Sequence, residues 1–232
     1  MDMMKSPVDP AFRNDVMRCF AEQCYAIPAR WLYDRTGSEL FEQITELPEY
    51  YPTRTETALL KQFCGEVAEL GERGRAVVEF GSGSSTKTPH LLRAIDTAAY
   101  VPIDISGEFL AHSAAALQEG FPELPIYPLE ADFMQSLRLP TEVKNMPKLG
   151  FFPGSTIGNM IARTSVDLLR SMRETLGEGS QLLIGFDRIK DTEVLVAAYD
   201  DSAGVTAQFS LNLLHRINGE LNSDIAVEKF NH

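Results

Sequence analysis

From Val77 onward the chain alternates short apolar runs with longer stretches of helical period. The runs at 76–80, 99–104, 125–129, 148–152 and 181–186 predict strands. The stretches at 86–96, 106–119, 165–176 and 191–199 predict helices. Strand and helix in this alternation imply an α/β fold, with a mostly parallel sheet covered by helices on both faces. A last amphipathic stretch, 204–221, carries Val205, Phe209, Leu213 and Ile217 on one face. Before the sheet region the pattern is helical only. Asp9-Pro10 reads as a cap followed by proline at the first helical position, and Phe12, Val16, Cys19 and Phe20 recur at helical spacing over residues 10–24. Thr36 with Glu39 and Thr53 with Glu56 have the spacing of capping boxes, opening a helix that ends near Pro48 and another that runs to about Leu70. Between them Leu47-Pro48-Glu49-Tyr50-Tyr51-Pro52 predicts a stiff aromatic loop. The expected organisation is a helical cap over 1–60, a Rossmann-like domain over 61–190, and a second part of the cap over 191–232.

Composition narrows this little. The 232 residues, 44% hydrophobic and 23% charged, suit an ordinary globular protein with an adequate core. A net charge of −12 argues against nucleic acid and anionic membranes as partners. Cys19, Cys24 and Cys64 lack metal-ligand spacing, so no metal is expected, and an odd number without a framework suits a reducing cytoplasm. No apolar run is long enough to span a bilayer, and the N-terminus lacks a basic-then-apolar signal pattern.

The chemistry concentrates at the expected strand ends. Val77-Val78-Glu79-Phe80-Gly81-Ser82-Gly83-Ser84-Ser85-Thr86-Lys87 has the strand–turn–helix grammar of a nucleotide site. Gly81 permits a tight turn, and Gly83 lets the backbone approach a ligand closely. The third glycine of a dinucleotide fingerprint is absent, and Glu79 would repel a phosphate, so a cationic or hydroxyl-bearing ligand such as S-adenosylmethionine fits better. Asp104, ending the second strand, is placed to accept hydrogen bonds from both hydroxyls of a ribose. Asp132-Phe133 after the third strand offers a carboxylate for an adenine amino edge and a ring to pack beside it. Each aspartate alone reads equally as a helix cap; three acidic strand ends in register with the glycine turn point to an adenosyl group without phosphates. After the fourth strand, Gly154-Ser155-Thr156-Ile157-Gly158-Asn159 places an amide donor where it could hold a carboxylate, or where an asparagine merely suits a loop. Tyr33 and Tyr50 lie between expected helices, which raises their standing as functional groups over tyrosines that fill a core.

Four segments together resemble a known family. Tyr33-Asp34-Arg35-Thr36-Gly37-Ser38-Glu39-Leu40-Phe41, Leu47-Pro48-Glu49-Tyr50-Tyr51-Pro52-Thr53-Arg54, Glu79 through Thr88, and Gly154 through Asn159 are similar to histidine-specific Nα-methyltransferases of ergothioneine biosynthesis. The resemblance runs from about residue 25 to the C-terminus. It implies a class I methyltransferase sheet and transfer of three methyl groups from S-adenosylmethionine to the α-amine of L-histidine, giving hercynine. It also implies a cofactor set of Gly81, Lys87, Asp104, Asp132 and Phe133, with Lys87 neutralising the methionine carboxylate; Gly83 of the glycine turn and Gly154 after the fourth strand are expected to join it. Asn159 and Tyr199 would hold the substrate carboxylate, Tyr50 would face the imidazole, and the hydroxyl of Tyr33 would lie near the reacting amine.

Members of this family continue past the position of His232. The expectation is therefore a shortened or fragmentary member, with five strands where the family sheet has seven, without the glutamate and serine that hold the imidazole. Self-association through an incomplete sheet or cap is expected, along with weak or absent histidine methylation. Two alternatives stay open: a methyltransferase for another amino acid or amine, and a cofactor-binding pseudo-enzyme lacking a complete substrate cap.

Overall fold

The computed structural model describes residues 8–22 and 26–232. Cys24 lies outside them, as does the final part of the helix expected over 10–24. The chain divides into two compact units, one of residues Pro48–Leu195 and one of Met1–Leu47 with Val196–His232.

The first unit is built on a parallel sheet. Its strands are β1 (Arg75–Phe80), β2 (Thr97–Asp104), β3 (Leu129–Glu130), β4 (Lys148–Phe152) and β5 (Gln181–Ile184), in the order β3-β2-β1-β4-β5. Its helices are α3 (Tyr51–Glu69), α4 (Thr88–Ala94), α5 (Gly107–Gly120) and α6 (Ala162–Leu176), numbered after α1 (Pro10–Ala21) and α2 (Arg35–Glu46) of the second unit. Successive side chains of β1 point to opposite faces, and both faces are covered. Ala76, Val78 and Phe80 pack with Val101, Ile103 and Phe152 against Leu168, Met172 and Leu176 of α6. Val77 packs with Tyr100, Leu149 and Phe151 against α3, α4 and α5 through Leu60, Cys64, Leu91, Leu92 and Leu117. A strand buried on both faces reads as a continuous apolar run, which is why these strands were visible as runs. Each of the larger buried side chains contributes roughly 1.5–3 kcal/mol.

Three local expectations are corrected. The third strand, expected over 125–129, narrows to Leu129–Glu130 with an isolated bridge between Tyr100 and Ile126. Pro125 and Pro128 have no N–H to give to a ladder. The helix α3 starts at Tyr51 with Pro52 in its first turn, so Thr53 and Glu56 lie inside it and form no capping box. Residues 48–60, expected with the cap, accordingly belong to the sheet unit. The cap of α2 is Asp34, whose carboxylate accepts the Gly37 N–H at 2.7 Å, while Thr36 sits within the helix.

The second unit is helical, containing α1, a short 3-10 turn at Ala29–Leu32, α2 and α8 (Val205–Leu221). The helix α7 (Thr192–Tyr199) carries the chain from one unit to the other. Asp9 caps α1 by accepting the Ala11 N–H at 2.7 Å, with Pro10 at the first helical position, as the sequence predicts. Phe12, Val16, Trp31 and Ile217 form its core. The Arg216 guanidinium lies 4.5 Å from the Phe12 ring centre and donates to the Trp31 carbonyl at 2.8 Å. Among the described residues no helix is long and apolar enough to cross a membrane.

Candidate active site

In the sheet unit, strand order reverses between β1 and β4, and a parallel sheet opens a crevice at the carboxyl ends of its strands at such a point. The loop leaving β1 turns there through three left-handed residues, Gly81 (φ +71°), Gly83 (φ +51°) and Ser85 (φ +54°). The N–H groups of Gly81 and Ser82 donate to the Ile103 carbonyl at 2.8 and 3.0 Å, which ties the turn to β2. A Cβ on Gly83 would meet nothing within 4 Å, so the space over the loop is open to a ligand. A Cβ on Gly81 would lie 3.3 Å from the Phe133 ring, so the ring depends on that glycine for its seat.

Glu79 does not face the crevice. It is 1% exposed and accepts hydrogen bonds from the hydroxyls of Thr88 at 2.7 Å and Tyr100 at 2.5 Å. Burial, only partly offset by those hydroxyls and by Lys87, pushes its carboxyl up to about 7. The sequence reading of Glu79 as a group selecting a cationic ligand is therefore replaced by a supporting role. It joins the start of α4 to β2 beneath the glycine loop.

Asp104 does point where a sugar could be held. Its two carboxylate oxygens accept the N–H groups of Gly83 and Ser106, each at 3.0 Å. A carboxylate has about four acceptor positions, so two stay available to a pair of hydroxyls. Asp132 accepts the Met134 N–H at 2.9 Å, an Asx turn in a loop and not the helix cap that was its alternative reading. Phe133 packs edge-on against Phe152 at the end of β4, with ring centres 5.7 Å apart.

One central residue escaped the sequence reading. Glu56 of α3 reaches across to the crevice, where both its oxygens lie 2.9 Å from the Gly154 nitrogen and one lies 2.5 Å from Lys87 Nζ. Lys87 and Gly154 were both expected at the cofactor; the carboxylate that brings them together was not. Its capping-box spacing with Thr53 supplied a sufficient local explanation, and nothing in the spacing signals a contact with residue 154. A second cluster lies beside the same loop. The Tyr51 hydroxyl and the Lys190 ammonium both donate to Asp187, whose N–H donates to Ser155 Oγ at 2.9 Å. Burial pushes the Asp187 carboxyl up, but Lys190 and Tyr51 outweigh it and hold the group below its ordinary range.

The expected substrate residues divide between the two units. Asn159 ends the 3-10 turn Thr156–Asn159 after β4 and is exposed. Tyr50 is buried, just before α3, and its carbonyl accepts from Arg54 at 3.1 Å. Tyr33 and Tyr199 belong to the helical unit. Tyr33 sits in an aromatic trio, its ring centre 5.5 Å from those of both Phe41 and Phe209. Tyr199 ends α7, half exposed, with its carbonyl 2.8 Å from His232 Nε2.

The glycine cradle, the Asp104 acceptor and the Lys87 cation together fit the adenosyl and amino-acid ends of S-adenosylmethionine. Among the described residues no three His, Cys, Asp or Glu side chains gather as a metal site. The family described as histidine-specific, S-adenosylmethionine-dependent methyltransferases matches residues 12–232. The chain is 40% identical over 227 residues to the "Histidine N-alpha-methyltransferase" of Mycobacterium tuberculosis (strain CDC 1551 / Oshkosh), covering 96% of this chain and 70% of the relative. It is 39% identical over 226 residues to the protein of the same name from Mycolicibacterium smegmatis, with the same shares covered. It is 32% identical over 199 residues to "Ergothioneine biosynthesis protein 1" of Neurospora crassa, covering 83% of this chain and 22% of that protein.

Proposed function

The chain belongs to the S-adenosylmethionine-dependent, histidine-specific methyltransferases, and from that premise we propose that it methylates the α-amine of L-histidine to hercynine. The observation that carries the reading is the convergence of Asp104, Lys87 and Gly154 on the carboxyl ends of β2, β1 and β4. When bound, S-adenosylmethionine supplies a methyl group activated on a positively charged sulfur. The chain has to hold, orient and exclude water. In this reading Asp104 accepts the ribose hydroxyls, Asp132 and Phe133 flank the adenine, Gly81 and Gly83 clear the backbone from the ligand, and Lys87 with Gly154 receives the amino-acid end. Asn159 and Tyr199 hold the histidine carboxylate, Tyr50 meets the imidazole, and Tyr33 orients the amine. Cofactor binding falls to the unit 48–195.

Positioning is the main catalytic resource available to such a set, and fixing two reactants in line can remove roughly 7–11 kcal/mol of a barrier. A free α-amine has a pKa of about 8, so part of it is already neutral and nucleophilic near neutrality. Tyr33 is assigned orientation rather than proton abstraction, because a neutral phenol with a pKa of about 10 is a weak base.

The test is to incubate the chain with S-adenosylmethionine and L-histidine and to follow mono-, di- and trimethylated products by mass spectrometry. Product from another amino acid or amine, and none from histidine, would move the assignment to a different substrate. Cofactor binding with no amine methylated would make the chain a cofactor-binding pseudo-enzyme. A reducing cytoplasm is the setting we assign, in keeping with the buried thiol of Cys64, whose pKa burial raises. The strand β5 ends the described sheet, and the nearby Phe186 and Ile189 are exposed. That edge supports self-association of the 232-residue chain, which light scattering tests.

A further inference from the structure

Glu56 and Lys87 form an ion pair that fold stability alone does not explain. Their side chains are 17% and 18% exposed, so both charges have lost most of their water and each keeps an open side. Stripping two charges of water costs about as much as their attraction returns, so such a pair is weak evidence of a stabilising role. Yet the surroundings are fitted closely to it. Both Glu56 oxygens lie 2.9 Å from the Gly154 nitrogen, and Gly154 has a φ of +86° that a side chain would strain. A Cβ on Gly185, just past β5, would lie 1.9 Å from Glu56 Oε1. Three strand-end segments, those after β1, β4 and β5, thus close around one carboxylate and one ammonium at the point where strand order reverses.

A fixed anion beside a fixed cation, each with one open side, is complementary to a zwitterion. The amino-acid end of S-adenosylmethionine is one, carrying an α-ammonium and an α-carboxylate on the same carbon. We propose that Glu56 receives the α-ammonium while Lys87 receives the α-carboxylate, so that the pair recognises the amino-acid end as a unit. This rests on the cofactor reading above. It assigns to Glu56 the selection of ligands that carry the amino group, with the adenosine end read independently by the Asp104 side of the crevice.

The test is calorimetric titration of S-adenosylhomocysteine, of its decarboxylated analogue, and of 5′-methylthioadenosine, which lacks the amino-acid end. The proteins are the unaltered chain, Glu56→Gln and Lys87→Gln. Glu56→Gln keeps the shape and one acceptor for Gly154 and removes only the charge. We expect it to weaken S-adenosylhomocysteine and the decarboxylated analogue at least tenfold and to leave 5′-methylthioadenosine unchanged. Lys87→Gln should weaken S-adenosylhomocysteine but spare the decarboxylated analogue. Equal loss of all three ligands in Glu56→Gln would make Glu56 a structural clip and overturn the proposal. Tighter S-adenosylhomocysteine binding would overturn it too, because Glu56 would then be competing for Lys87. An unaltered chain that binds 5′-methylthioadenosine but not S-adenosylhomocysteine would also defeat it. An unaltered chain that binds none of the three would instead defeat the cofactor reading on which it rests.

Discussion

The two units bury carboxylates in opposite ways. In the helical unit, Asp15 accepts from Trp31 Nε1 at 2.8 Å and from the guanidinium groups of Arg30 and Arg18 at 2.7 Å. Burial pushes its carboxyl up, but the indole and the two arginines win and hold it below its usual range. In the sheet unit, Glu79 is buried among hydroxyls, and there burial wins. Depth does not decide the charge of a buried acid; the partners do. Asp15 anchors an interior by staying ionised. Glu79, beneath the ligand loop, is poised between charged and neutral near pH 7.

The strongest test of the contrast is to empty one core. Trp31→Ala should cost the helical unit about 3–5 kcal/mol. Hydrogen exchange should then show protection lost over α1 and α8 but kept over β1 and β2. Equal loss in β1 and β2 would mean the units unfold as one body. The next effect is pH dependence in the sheet unit. The Glu79 carboxyl is raised from 4.5 to about 7 in the folded state, so its contribution is intact below pH 4.5 and is lost as pH rises through about 7. A tenfold change in proton affinity is worth about 1.4 kcal/mol, so the loss is roughly 3 kcal/mol. Glu79→Gln should flatten that slope in denaturation curves; an unchanged slope would mean another group is responsible. Third, Asp104→Ala should weaken S-adenosylhomocysteine by roughly 1.5–3 kcal/mol, the value of a charge-assisted acceptor. Equal thermal stabilisation of both proteins by the ligand would remove Asp104 from the sugar. The smallest effect lies in the helical unit. Asp201 accepts the Val205 and Thr206 N–H groups at 2.9 and 2.7 Å at the start of α8. Burial opposes its charge, yet these bonds lower its pKa from 3.8 to about 2, so its contribution holds above pH 3.8 and fades as pH falls towards 2. Asp201→Ala should cost about 0.5–2 kcal/mol at neutral pH, with the gap narrowing in acid.

Much of the sheet was legible because both faces of β1, β2 and β4 are buried, so that they appear in the sequence as apolar runs; β5 is only partly buried but keeps the same apolar run, and the glycines that follow β1 mark the crevice. Asp9 announced its cap through Pro10, since the two signals act within the same turn. Legibility failed where a local explanation competed with a distant partner. Thr36 with Glu39 matches a box, but Asp34 stands two residues nearer the chain start and takes the cap first. Glu56 satisfied a local rule with Thr53 while its actual partners are Lys87 and Gly154, the latter 98 residues away. Glu79 shows the converse. Its place at a strand end suggested a ligand, but alternation along β1 puts it on the face covered by α3 and α4, where Tyr100 and Thr88 claim it.

The sheet unit is one unbroken stretch of chain, whereas the helical unit is assembled from the two ends that flank it. On a ribosome, α1 and α2 emerge first with the apolar faces of Phe12, Val16 and Ile44 uncovered. Their partner α8 follows only after roughly 150 further residues, about 8–30 s later at 5–20 residues per second. During that wait β1 to β5 can pair, since all of them lie within residues 75–184. The crevice would therefore mature before the helical unit is finished, and ligand captured early would stabilise a nascent chain whose leading helices are still unpartnered.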